Sequence, residues 1–324
     1  MKRNIATTMA LAIGLTVVPQ AISTSAFAST PENPSEIVEQ AAPTVLVNLD
    51  PESGVNLPTD SSGEIVVYLG NSAPLAITLP DAEIQLSQAG DGFSPGEAET
   101  DPNGVVFYEN SDGGVTAPVP QEGGGIAIHA IIEERSAPTD YVYSLSFPDD
   151  VVARQVDGKG ILFTTREGAY LGAIASPWAK DADGKAVPTH FEFDGSQLTQ
   201  VVNHDLGQFS YPIVADPYFG IALHSSVWWS GSGSSRKASL NTTPQMGVAW
   251  AAGAAYSYGW PEALSKLGNE LNKETYRQQY KCHADNAPLV LAGGAFGFGN
   301  TWDLEYSRGT NSDYGNVWYH RCNW

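Results

Sequence analysis

Between residues 61 and 217 the chain offers no stretch of sustained helical period. Short β-branched runs recur instead, each bounded by glycine, proline or an Asp-Gly pair: GEIVVYLG, APLAITLP, GVVFYEN and GIAIHAIIEE. Runs of this length and composition are predicted to be strands. The pairs Asp112-Gly113, Asp157-Gly158, Asp183-Gly184 and Asp194-Gly195 supply hairpin turns, because glycine takes a positive φ without steric cost and aspartate nearly so. In FEFDGSQLTQVV, a two-residue turn at Asp194-Gly195 places Phe191 opposite Leu198, so one face can be buried. YPIVADPYF, residues 211–219, reads as an exit strand broken at Asp216-Pro217. The expectation is an acidic antiparallel β domain over 61–217. It is preceded over 29–60 by an extended or disordered lead-in rich in Pro, Glu, Ser and Asn.

After 217 the pattern changes. TTPQMGVAWAAGAAYSYGW offers Thr243 as an N-cap and Pro244 at the first helical position. Trp260, Leu264, Leu267 and Leu271 are spaced as one face of a helix, with Pro261 at another first position and Gly268-Asn269 as a break. Tyr276 and Tyr280 continue a face. In TWDLEYSR, Trp302, Leu304 and Tyr306 alternate with Asp303, Glu305 and Ser307, the period of a half-buried strand. The fold class expected is therefore two-domain: an antiparallel β-rich N-terminal domain and a small α+β C-terminal domain over 218–324.

The ends and the charge bound where such a chain works. Lys2 and Arg3, an apolar run to Val18, and Ala26-Phe27-Ala28 have the form of a signal peptide over 1–28, so a secreted, extracellular protein is expected. No later run is long enough to span a membrane. Residues 29–220 carry 6 basic and 29 acidic side chains, net −23, whereas residues 221–324 carry 8 and 7, net +1. The acidic half disfavours nucleic acid, whose phosphates need a basic field. Neither a Walker A motif, a dinucleotide fingerprint nor an HExxH zinc motif is present, so no cofactor and no metal are expected. Asp181 and Asp183 in DADGKAV hold the first part of a calcium loop but lack its distal ligands, and a hairpin turn accounts for them.

Only two cysteines exist, Cys282 and Cys322, and in an oxidising compartment they are expected to pair; the alternative is two buried thiols. Pairing closes a loop of about forty residues and brings His283 near His320 or Arg321. An imidazole, an arginine and a carboxylate together can bind an anion or exchange protons. Asp303 and Glu305 share a strand face and could form an acid–base pair, or be that strand's solvent face. Seven of the eight tryptophans lie in the last third. Trp228 and Trp229 are candidates for a stacking platform for sugar rings or a partner, as against ordinary core residues.

YVYSLSFP, PWAKDADGKAVPTHFEFDGSQLTQVVNH and YPIVADP, between Tyr141 and Pro217, resemble a module that recurs in secreted actinobacterial proteins ahead of varied C-terminal domains. The last third resembles an uncharacterised domain family of secreted actinobacterial proteins, through Cys282-His283, Trp302-Asp303-Leu304-Glu305, Arg308 and Cys322-Asn323. Where that family has prolines around the arginine, this chain has Tyr306, Ser307 and Gly309. The resemblance implies no mechanism, but it draws attention to Glu305, His283 and Arg308 as candidate catalytic residues. The function expected is a non-enzymatic cell-envelope or extracellular binding protein, whose partner is a cell-wall glycan or another extracellular protein. The alternative is a secreted hydrolase or toxin-like effector whose active site lies in the C-terminal domain.

Overall fold

Two antiparallel sheets carry the first two thirds of the chain. The smaller runs in the order Glu64–Tyr68, Pro74–Thr78, Asp140–Ser146, Gln197–Val202 and Thr189–Phe193. The larger runs Glu99–Thr100, Val106–Glu109, Val115–Gln121, Gly125–Ile132, Tyr218–Gly220, Tyr170–Ile174, Gly160–Thr165 and Val151–Val156. Ile213–Asp216 also joins it, between Gly125–Ile132 and Trp178–Lys180. This is a computed structural model, and it describes residues 33–80, 95–156, 158–290, 301–316 and 322. The leader expected over 1–28 lies outside those residues, as do Trp318, His320, Arg321 and Trp324.

All four β-branched runs are strands, and their alternate residues meet between the sheets. Ile65, Val67, Leu75, Tyr143 and Leu198 of one sheet pack with Ile126, Ile128, Phe163 and Phe219 of the other in one buried cluster. The hairpin at Asp194 differs from expectation. It pairs Phe193, not Phe191, with Leu198, because the loop spans four residues and Asp194 Oδ1 caps the N–H groups of Ser196 and Gln197. A shift of two residues preserves parity, so Phe191 and Leu198 still enter the same core.

The lead-in is a correction. It is not extended throughout: helices α1 (Pro34–Ala41) and α2 (Pro43–Val47) form there, each opened by a proline at its first position. Val38 packs with Val105, Ala117, Val119 and Ile131 on the outer face of the large sheet. Lys180 Nζ donates to Ala41 O at the helix end (2.7 Å) and the Ser35 N–H to Asp101 Oδ2 (2.9 Å). Apolar residues too few to form a core alone become helical once a sheet face receives them.

His129, in Gly125–Ile132, is fully buried; neither ring nitrogen has a hydrogen-bond partner, and Trp178 lies 6.0 Å away, ring to ring. Burial pushes its pKa down to about 3. Asp216 is buried too, and burial raises its carboxyl well above the ordinary range, with Lys180 opposing.

The boundary expected at 217 falls inside the large sheet, since Tyr218–Gly220 is one of its interior strands. Residues 32–324 form one compact unit rather than two. Beyond Gly220 the chain builds a second core. α3 (Pro244–Ala251), α4 (Ala255–Leu267) and α5 (Glu274–Val290) pack on a three-stranded sheet ordered His224–Ser230, Lys237–Thr242 and Thr301–Glu305. Thr243 stands at the α3 N-cap, but its hydroxyl donates to Ala222 O instead of capping the helix. Pro261 lies inside α4 rather than at its start, because the helix begins six residues earlier, at Ala255. Gly268 ends α4, and Leu267 and Leu271 bracket the break on the buried side. Cys282 of α5 is bonded to Cys322, with Cα atoms 5.5 Å apart.

Candidate functional site

The alternation in Thr301–Glu305 puts Trp302 and Leu304 into the core and leaves Thr301, Asp303 and Glu305 on the outer face. Neither carboxylate stands alone. Asp303 accepts from Lys237 Nζ (2.8 Å) and Ser239 Oγ (2.6 Å). Burial pulls its pKa up, but those two partners hold it below the ordinary value. Glu305 is paired with Arg308 (3.0 Å), and its backbone exchanges hydrogen bonds with the Gln279 amide. His283 lies beside this group on α5, stacked on Trp302 at 5.4 Å between ring centroids. It is 8 % exposed, and burial pushes its pKa down to about 4, against the pull of Asp303 and with the push of Arg308. The three candidate catalytic residues are therefore neighbours. Two of them neutralise each other, and the third is shut behind an indole.

The tandem tryptophans point opposite ways. Trp229 faces the core: its Nε1–H donates to Leu267 O (3.1 Å), and its ring meets Tyr276 and the Arg236 guanidinium. Trp228 is 42 % exposed on the outer face. Register makes that face a grid of three rows across three strands: Ser226, Asn241 and Thr301; Trp228, Ser239 and Asp303; Ser230, Lys237 and Glu305. The rows are bonded across strands, with Asn241 Nδ2 donating to Ser226 Oγ (2.9 Å) and Thr301 Oγ1 to Asn241 Oδ1 (2.6 Å). One indole thus stands on an ordered polar floor. The strand KASLNT, which supplies its centre, was not anticipated, although its polar–apolar alternation was the available signal.

Ser226 and Asn241 also line a cleft of about 470 Å³ between this sheet and the rim of the large one, where Gln121 and Gly125 lie. Behind its wall residues His224 and Lys266, Glu262 of α4 accepts the backbone N–H groups of Leu223 (2.8 Å) and His224 (3.1 Å) and pairs with Lys266 (2.7 Å). His224 Nδ1 is 3.5 Å from Glu262, beyond a normal hydrogen bond, and its Nε2 meets Tyr280 Oη at 3.0 Å. Gly259 makes room for that hydroxyl, which a Cβ there would meet at 2.1 Å. Burial opposes ionisation of Glu262, but His224 and Lys266 outweigh it and hold its pKa at about 2. These groups satisfy one another and pin α4 to the first strand. Glu262→Gln is expected to cost about 2–3 kcal/mol in urea unfolding at pH 7, the scale for removing a buried charge from its partners. An unchanged urea midpoint would show that the carboxylate's charge contributes nothing.

Asp181 is occupied by its own turn, accepting the N–H groups of Asp183 (3.1 Å) and Lys185 (2.8 Å), as in a hairpin. Among the described residues no three His, Cys, Asp or Glu side chains gather as metal ligands. No family model matches the chain, and neither a curated protein nor a solved structure is detectably similar to it.

Proposed function

We propose that this is a secreted, non-enzymatic binding protein of the kind the resemblance to actinobacterial proteins implies. In this reading the C-terminal α+β part presents the binding face, and the β-rich part supports it within the same compact unit. The observation that carries it is Trp228: a large indole left in water on a face otherwise built of hydrogen-bonded polar side chains. An exposed aromatic on a rigid polar floor offers a ligand both a stacking surface and directional bonds. Among the described residues no helix is long and apolar enough to cross a membrane. The hydrolase reading draws less support, because Glu305 is neutralised by Arg308 and His283 has little access to a substrate.

Purified actinobacterial cell walls provide the test. The whole protein is incubated with walls, and both pelleted protein and released sugars or amino groups are recorded. Pelleting without release is expected, with Trp228→Ala weakening retention about tenfold, the loss typical of an aromatic anchor. Release of wall fragments would overturn the non-enzymatic reading. Retention that ignores Trp228→Ala would move the binding face elsewhere.

A further inference from the structure

The cleft beside the polar face has a chemistry of its own. Its volume of about 470 Å³ falls within the roughly 300–1,000 Å³ of ligand sites and is too small for a folded partner. Its walls come from two places: Gln121 from the rim of the large sheet, and Ser225, Ser226, Asn241, Thr243 and Gln245 from beyond it. Three of these are buried and turn donors inward, Gln121 and Thr243 all of theirs and Gln245 one of its two. Gln121 Nε2 donates to Val45 O and Val119 O (3.2 Å each), Thr243 Oγ1 to Ala222 O (2.7 Å) and Gln245 Nε2 to Tyr218 O (3.3 Å). What they retain is mainly acceptor capacity, with one N–H of Gln245, held in fixed positions. Ser225 and Ser226 are exposed hydroxyls: Ser225 donates at long range to Asn241 O (3.5 Å) and is free to accept, and Ser226 accepts from Asn241 and is free to donate.

Charge is balanced there. Among the described residues, Lys266 is the one lysine or arginine on the wall and Glu122 the one carboxylate. Lys266 already donates to Glu262 and to His224 O at 2.7 Å each. An anionic ligand would face acceptors, an adjoining half of net charge −23 and one committed ammonium. An apolar ligand would strip water from groups it could not bond. A ligand that carries hydroxyls on a ring with C–H faces suits this wall, since each hydroxyl donates as well as accepts and the C–H faces can meet Ile221 and Ala222. Trp228 stands on the same face of the same strand, two residues from Ser226, where a sugar ring leaving the cleft would stack on its indole.

We infer that this cleft is the seat of a neutral oligosaccharide chain, with Trp228 as the stacking residue at its mouth. The inference rests on the binding reading above and gives it a ligand class.

Calorimetric titration of the whole protein separates the possibilities. The probes are neutral tetrasaccharides of glucose, xylose and N-acetylglucosamine, with tetragalacturonate as the anionic arm and a glucosamine tetramer as the cationic one. Saturable binding of at least one neutral chain is expected, at least about tenfold tighter than either charged one. Trp228→Ala should weaken it about tenfold. Ser225→Trp, an exposed position where a bulky side chain fills the cleft and leaves the core alone, should abolish it without changing the melting temperature. The inference is overturned if no neutral chain binds, if a charged chain binds best, or if a folded Ser225→Trp protein binds normally. Wall retention that still depends on Trp228 would in those cases leave the binding reading standing, whereas loss of both would end it.

Discussion

Replacing His129 with leucine is expected to make the protein more stable, and increasingly so as the pH falls. Two effects add. The imidazole is buried with neither nitrogen bonded, and removing such groups is worth about 1–3 kcal/mol at neutral pH, where nothing is ionised. Acid then adds a linkage effect. The folded pKa of about 3 lies below the ordinary 6.5, so the unfolded chain takes up a proton first. The folded state therefore loses stability as pH drops from about 6.5 towards 3, with none lost above 6.5. Each pH unit in that window costs about 1.4 kcal/mol, or roughly 3 kcal/mol by pH 4. His283, with a pKa near 4, adds a similar slope over pH 6.5 to 4. Asp216 works the other way: its raised pKa favours the folded state at low pH, and that advantage disappears as pH rises above the ordinary carboxylate range. The comparison of wild type with His129→Leu cancels the contributions of His283 and Asp216. Urea midpoints at pH 7, 5.5 and 4 give the test, and parallel curves would show that His129 does not titrate in this window.

Opening the disulfide is expected to cost about 4 kcal/mol, the chain-entropy value for a loop of the 40-residue separation between Cys282 and Cys322. Cys282 is fully buried on α5, one residue from His283 and about two turns from the Glu274 end. The Cys282→Ser, Cys322→Ser double variant should melt at a lower temperature than the oxidised protein, and reductant should lower the wild type to the same value. A reductant-insensitive melting temperature would mean that the tail closes on the helix without covalent help. The effect should be confined to the C-terminal core, because the two-sheet core shares no residue with the loop.

The β half was legible in the sequence because its information is local. Ile65 and Val67, or Ile126 and Ile128, alternate with a two-residue period that a sheet alone satisfies, and Gly113 and Gly195 mark turns that need positive φ. Loop length was less legible: Asp194 caps two N–H groups of a four-residue loop, and side-chain capping is not visible in an Asp-Gly pair. The α1 helix was missed for a different reason. PSEIVEQA is marginal alone and becomes helical because Val105, Val119 and Ile131 wait on a sheet formed 60 to 90 residues later. At the candidate site, His283, Glu305 and Arg308 were singled out together by resemblance alone; the disulfide argument placed His283 beside His320 or Arg321, which lie outside the described residues. The Glu305–Arg308 pair is local, three residues apart, whereas the burial of His283 against Trp302 depends on α5 packing on the strand, which no local pattern shows. The opposed directions of Trp228 and Trp229 follow from strand alternation once KASLNT is recognised as their partner. The cleft joins residues a hundred or more positions apart, and no local pattern encodes that.

The place of Tyr218–Gly220 bears on the order in which the molecule can assemble. That strand lies between Gly125–Ile132 and Tyr170–Ile174, which do not pair with each other. Without Tyr218–Gly220 the large sheet would be two unjoined pieces whose facing edges carry open N–H and C=O groups. Closing them requires contacts of long sequence separation, which form slowly. The β half is therefore complete only with a strand that lies past residue 217, supplied by the leading residues of the C-terminal part. Any exchange of C-terminal segments in evolution would have to splice after Gly220 to keep that step intact.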